Sequence, residues 1–273
     1  MREYHFVDGE PVAGGFQKIM AGDAGLLYGC SLFETMLVKG SRPVLLAEHL
    51  ARMAASARDL GMPLPASPAD LAGMCLAAAQ RAGTGVLRLT VTAGGDAGKK
   101  GRIFIMMREG LPYRAEQKAK GFALLTLDFP RNEKSPLVRH KTANFWENRL
   151  GRGRAQQQGY DEGLFLNTRG YVAEGTVSNI FAVRDGELLT PPVEAGLLPG
   201  TVRRLVIDYA ASAGLACREA MLTRQELGGA DELFVTNSLL GVMPVTVLDG
   251  APVGTGTPGA VTRELMRLYP AED

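Results

Sequence analysis

The chain has 273 residues, 46% hydrophobic and 22% charged, with a formal net charge of +1. That length supports one large core or two smaller ones, and so even a charge balance gives no field for nonspecific nucleic-acid binding. No run approaches the ~18 apolar residues of a membrane span, the N-terminus "MREYHFVDGE" is charged where a signal peptide is apolar, and Cys30, Cys75, Cys217 and His5, His49, His140 fall at no ligand spacing, so a cytoplasmic protein without disulfides or metal is expected.

In chain order, "HFVDGEPV" reads as a hairpin around Asp8-Gly9 and "SLFETMLVKGSRPVLL" as two strands about Gly40. Leu46, Leu50, Met53, Ala57 and Leu60 recur at helical spacing before Gly61, and Ser67-Pro68 pairs an N-cap with proline at the first helical position. "VLRLTVTAG" and "RIFIMM" are strands, the first with Leu87, Leu89 and Val91 on one face and Arg88, Thr90 and Thr92 on the other. "GKKGR" at Gly98–Arg102 reads as a solvated turn.

The polar stretch Arg108–Gly121 suggests a boundary, giving domains at 1–110 and 122–273 with a linker at 111–121. Beyond it come a strand at Phe122–Leu127, a helix from about Asn144 to Gln158, the strands "EGLFLN", "YVAEGTVSNIFAV" and "GELLTPP", and a helix opening after Pro199-Gly200. "DELFVTNSLLGVMPVTVLDG" makes two strands about a polar turn, and "TRELMRLY" a last helix. Strands and helices interleave without strict βαβ order, so a mixed α/β fold is expected rather than a doubly wound sheet.

"GGDAGKK" lacks the spacing and the hydroxyl residue of a phosphate-binding loop, and no GxGxxG or GxSxG appears. A dispersed set remains. Lys141 stands in "VRHKTANFWENRL" just before a helix, and a lysine amine held out of water can form an imine with a carbonyl. Arg52 lies on the polar side of an otherwise apolar helix, and Glu174 at the end of a strand. Gly200-Thr201 opens a helix, whose free N–H groups favour a phosphate, and Thr236, Asn237 and Ser238 form a polar turn. Taken singly, each reads as ordinary surface, turn or cap.

In this order the segments resemble the fold-type IV family of pyridoxal-phosphate enzymes, which includes branched-chain aminotransferases, D-amino acid aminotransferases and aminodeoxychorismate lyases. "GLLYGCSLFETM" resembles the family's opening YG-x-x-x-FET stretch, "EHLARM" its phosphate-arginine segment and "HKTANFWENRL" its lysine segment. "GYDEGLFLNTRGYVAEGTVSNIF" is the most specific piece, and the resemblance runs from about Asp23 to Val245.

The resemblance implies a two-domain fold like that of D-amino acid aminotransferase, with pyridoxal 5′-phosphate on Lys141. It implies Glu174 at the pyridine nitrogen, and Arg52, the backbone of Thr201 and Val202 and the Ser238 hydroxyl at the phosphate. Tyr28, Arg88 and Asn237 become candidates for a small amino substrate. A homodimer is expected, with Leu32 and Met36 as possible contributors to its contacts.

"FVTNSLLGVMPV" resembles the lyases, whose turn reads TNSL before a PV pair, so the expected reaction is release of pyruvate from 4-amino-4-deoxychorismate to leave 4-aminobenzoate. The alternatives are an aminotransferase for D- or branched-chain amino acids and a noncatalytic binding protein; intact Lys141 and Glu174 argue against the last. Two positions depart from the pattern: Ala93 stands where relatives place an arginine in TRG, and Cys30 follows Gly29 where they often have aspartate.

Overall fold

The computed structural model describes residues 2–13, 19–95, 100–111 and 113–269. The chain divides into two units, Met1–Pro112 with His140–Asn144, and Tyr113–Arg139 with Phe145–Asp273. Part of the turn expected at Gly98–Arg102 lies outside the described residues.

The first unit contains β1 (Glu3–Val7), β2 (Glu10–Val12), α1 (Ala24–Leu27), β3 (Ser31–Lys39), β4 (Arg42–Pro43), α2 (Leu46–Asp59), α3 (Pro68–Gln80), β5 (Gly85–Thr92) and β6 (Ile103–Glu109). Its six strands form one antiparallel sheet in the order β2-β1-β6-β5-β3-β4. Asp8 and Gly9 both take positive φ, 51° and 91°, which the expected two-residue hairpin requires. Ser67 caps α3 by accepting from Asp70 N, as its sequence predicts.

Strand alternation gives this sheet two unlike faces. Leu32, Met36 and Val38 of β3 and Leu87, Leu89 and Val91 of β5 pack with Leu50, Met53 and Ala57 of α2 and Leu71 and Cys75 of α3. Leu32 and Met36 are therefore core rather than subunit contacts, at 2% and 0% exposure. Phe33 and Arg88 lie on the opposite face by the same alternation.

The second unit contains α4 (Ala115–Lys120), β7 (Phe122–Thr126), α5 (Trp146–Gln157), β8 (Glu162–Leu166), β9 (Val172–Gly175), β10 (Asn179–Arg184), β11 (Glu187–Thr190), α6 (Thr201–Ala213), β12 (Cys217–Glu219), α7 (Arg224–Gly228), β13 (Glu232–Asn237), β14 (Gly241–Leu248), β15 (Ala251–Pro252) and α8 (Ala260–Leu265). The polar stretch expected as a linker instead holds α4, an exposed helix whose Lys120 carbonyl accepts from Thr246 of β14. Its polarity is that of a solvated helix face.

The sheet of the second unit runs β12-β11-β10-β13-β14-β7-β8-β9, with β15 beside β14. Three pairs are parallel, β11/β12, β14/β7 and β7/β8, so this sheet combines parallel and antiparallel pairs. Both of its faces are buried: Ile180 and Ala182 point into one cluster, Phe181 and Val183 into the other with Val206 of α6 and Leu265 of α8. Phe181 and Phe234 stack with centroids 4.9 Å apart, and burying each ring contributes about 2–3 kcal/mol. Among the described residues no helix is long and apolar enough to cross a membrane, and no His, Cys, Asp and Glu cluster could hold a metal ion.

Candidate functional site

The candidate residues divide between the units: Tyr28, Arg52, Arg88 and Lys141 belong to the first, and Glu174, Thr201, Val202, Asn237 and Ser238 to the second.

In the first unit, β3 alternates Leu32, Glu34 and Met36 toward α2, placing a carboxylate in an apolar layer at 1% exposure. Two α2 residues one turn apart meet it. Arg52 donates from Nε to Oε1 at 2.9 Å and from Nη2 to Oε2 at 2.5 Å, and His49 Nδ1 lies 2.6 Å from Oε2. Burial pushes the Glu34 carboxyl up, but the Arg52 charge and the hydrogen bonds from His49 and Arg52 outweigh it and hold it at about 2. Arg52 is thus no surface arginine: its side chain is 11% exposed, and Glu34 fixes the plane of its guanidinium.

On the other face, the Arg88 guanidinium lies 3.7 Å from the Phe33 ring centroid and Lys141 Nζ 4.7 Å from it. Arg88 and Phe33 are diagonal neighbours across the β3/β5 pair. Burial pushes the Arg88 pKa down. The strip around Lys141 is held as a short edge partner of β3: Phe33 N donates to Lys141 O at 2.9 Å, Ala143 N donates to Ser31 O at 3.0 Å, and Thr142 bridges Leu32. This pairing explains why α5 begins at Trp146 rather than near Asn144.

Tyr28 ends α1 with 71% exposure. That turn is anchored by buried Asp23, which accepts from Gly25 N and Thr92 Oγ1. Ala93, in the position of the missing arginine, donates its N–H to Cys30 O at 2.9 Å.

In the second unit, Glu174 lies one residue before the end of β9, with its side chain 8% exposed. Its Oε1 accepts from Arg131 Nη2 at 2.9 Å, and its Oε2 accepts from Leu198 N at 3.0 Å and from Asn179 Nδ2 at 3.5 Å. Arg131, at 5% exposure, also donates from Nη1 to Glu147 at 2.6 Å and to Asn148 at 3.2 Å, with its guanidinium 4.2 Å from the Phe165 ring.

The loop after Glu174 is tied down as firmly. Glu162 Oε1 accepts from Val177 N at 2.7 Å and Ser178 Oγ at 2.9 Å, and Asn148 Nδ2 donates to Thr176 O. Asn237 spends its amide here too: Nδ2 donates to Val177 O, while Oδ1 accepts from Leu239 N and Leu240 N. That geometry is a turn cap.

Gly200 is the N-cap of α6 and brings no side-chain cap, so the helix presents its first N–H groups from Thr201 and Val202. Thr201 Oγ1 and Ser238 Oγ lie 3.5 Å apart beside them. A Cβ at Gly200 would press on Asn179 Oδ1, so a larger residue there would displace the Asn179 amide.

These features fit the cofactor implied by the sequence. An uncapped helix N-terminus with two hydroxyls suits a phosphate dianion, and a buried carboxylate suits a protonated ring nitrogen. Glu34, His49, Arg131, Asn148 and Asn179 are absent from the sequence-derived set. Glu34 carried a signal, a charge at a core position of a period-2 pattern; Arg131 carried none.

A profile of the family Amino-transferase class IV matches residues 31–248. The putative branched-chain-amino-acid aminotransferase of Methanocaldococcus jannaschii is 31% identical over 92% of this chain and 90% of its own length. The aminodeoxychorismate lyase of Bacillus subtilis (strain 168) is 28% identical over 92% and 88%. The T.th. branched-chain amino acid aminotransferase, solved with pyridoxamine 5′-phosphate, superposes with a TM-score of 0.89 and 28% identity, covering 97% of this chain and 92% of that one.

Proposed function

Because the chain belongs to the class IV amino-transferase family of pyridoxal-phosphate enzymes, we propose that it is an aminotransferase moving the amino group of a branched-chain amino acid to a 2-oxo acid. The observation that carries an amino-group chemistry is buried Glu174, which accepts from Arg131 Nη2 and Leu198 N. The choice of reaction is supported by the 31% identical Methanocaldococcus jannaschii relative, against 28% for the Bacillus subtilis lyase. The lyase expected from the sequence becomes the second reading, favoured by the TNSL turn at Thr236–Leu239.

When bound, pyridoxal phosphate supplies an electrophilic carbon for the substrate amine and a ring that accepts the electron pair released at the substrate α-carbon. The protein's own groups do the rest. Lys141 is the amine that holds the cofactor and carries the α-proton as general base and acid. Phe33 sets its aromatic ring 4.7 Å from the Lys141 Nζ. Glu174 keeps the proton at the ring nitrogen. Thr201, Val202, Ser238 and Arg52 hold the phosphate, the first three with neutral donors and Arg52 with charge. Arg88, half-buried on the Phe33 ring, is the nearest cation to Ala93 on its strand and takes the substrate carboxylate.

The active form is proposed to be a homodimer. Its support is an exposed apolar run, Met20, Leu26, Leu27 and Tyr28, on the anchored turn of the first unit. Sedimentation should give a particle of twice 29.1 kDa at micromolar concentration.

Purified protein supplied with pyridoxal phosphate, leucine, isoleucine or valine, and 2-oxoglutarate should form glutamate. Pyruvate and 4-aminobenzoate released from aminodeoxychorismate without any acceptor would instead establish the lyase.

A further inference from the structure

Arg131 does more than pair with Glu174. One guanidinium serves two carboxylates, Glu174 through Nη2 at 2.9 Å and Glu147 through Nη1 at 2.6 Å. The three side chains together therefore carry one negative charge in excess. Phe165 beneath the guanidinium and Asn148 Oδ1 beside Nη1 fix its plane and contribute no further charge. Asn179 and Leu198 N, on the far oxygen of Glu174, are neutral as well. Glu147 sits in the first turn of α5.

The geometry points to Arg131 and Glu147 as a pair of opposed positioning residues: Arg131 orients Glu174, and Glu147 offsets the charge of Arg131, so that Glu174 keeps the field needed to hold a proton on the cofactor's ring nitrogen. This rests on the cofactor assignment made above. Without Glu147, Arg131 would neutralise Glu174 and the ring nitrogen would lose its proton more readily. Without the Arg131 charge, the ring nitrogen would hold its proton more tightly. Arg131 acts through Glu174, and Glu147 acts through Arg131.

The test uses holoprotein loaded with pyridoxal phosphate labelled with nitrogen-15 at the ring, whose chemical shift reports protonation directly. Glu147→Gln should lower the titration midpoint of that nitrogen by about one pH unit, a tenfold loss of proton affinity. Arg131→Met should raise it. Opposite shifts establish the inference, because a merely structural role would loosen Glu174 in both variants and move both midpoints down. Equal, same-sign or absent shifts overturn it. If Arg131→Met does not fold, the graded pair Glu147→Gln and Glu147→Lys decides, since Glu147 is half-exposed; Lys must lower the midpoint further than Gln. A wild-type protein that takes up no labelled cofactor would refute the cofactor assignment itself, a different result from holoproteins with unshifted midpoints.

Discussion

Glu34 presents its two carboxylate oxygens to a single edge of Arg52, one to Nε at 2.9 Å and the other to Nη2 at 2.5 Å. This bidentate pair, with His49 on the same carboxylate, is an ionic contact inside an apolar layer. Removing one partner of such a pair costs about 3–5 kcal/mol.

The first prediction concerns acid. The carboxyl of Glu34 is held at about 2, below the ordinary 4.5. A group depressed on folding adds stability above its unfolded value, and loses it as pH falls through the folded one. The penalty of Glu34→Gln in urea unfolding should therefore be full at neutral pH and shrink as pH falls from about 4.5 toward 2. A penalty constant across that window would contradict the pairing.

Arg52→Met should release pyridoxal phosphate on dialysis, but it also strands Glu34 in the core. The double variant Glu34→Gln with Arg52→Met separates the two effects. Its melting temperature should recover toward wild type, while cofactor retention stays at least about tenfold weaker, a loss of about 1.4 kcal/mol. Recovery of both would leave Arg52 a purely structural residue.

Lys141 should carry the cofactor covalently. Borohydride should abolish the visible absorbance of the holoprotein, and the reduced label should appear on the peptide containing Lys141. Label on any other lysine would displace the assignment.

Glu162 behaves in the opposite sense to Glu34. Burial raises its pKa despite the donors from Val177, Ser178 and Thr176 and the charge of Arg152. Its neutral form is favoured on folding, so the protein loses stability as pH rises through that value. Because Val177 N and Ser178 Oγ both meet Oε1, a glutamine can accept from both. Glu162→Gln should stay within about 1 kcal/mol of wild type at mildly acid pH and gain on it at alkaline pH, whereas Glu162→Leu should cost about 2–4 kcal/mol by orphaning two donors. Denaturant titrations at two pH values check both.

Much of this fold is legible in the amino-acid sequence. Helical spacing located α2 and α3, Asp8-Gly9 located a hairpin, and Pro199-Gly200 located the start of α6 at Thr201. What escaped was set by tertiary pairing. His140–Asn144 joins the first unit by hydrogen bonding to β3, residues more than a hundred positions away, and no local pattern encodes that. Arg131 and Glu147 read as ordinary charges because burial is a property of the packed neighbours, Phe165 among them. Asn237 looked available to a substrate because turn caps and ligand-binding amides share one residue type.

The Lys141 strip also has a bearing on solubility. β4 pairs only with the Val38–Lys39 end of β3, and Lys141–Ala143 shields the Ser31–Phe33 end. An unshielded strand end of this apolar character is a template for pairing between chains. The segment that carries Lys141 thus also guards against aggregation. Ala143→Pro, which removes the donor to Ser31, should turn the protein into one that precipitates on warming before it unfolds.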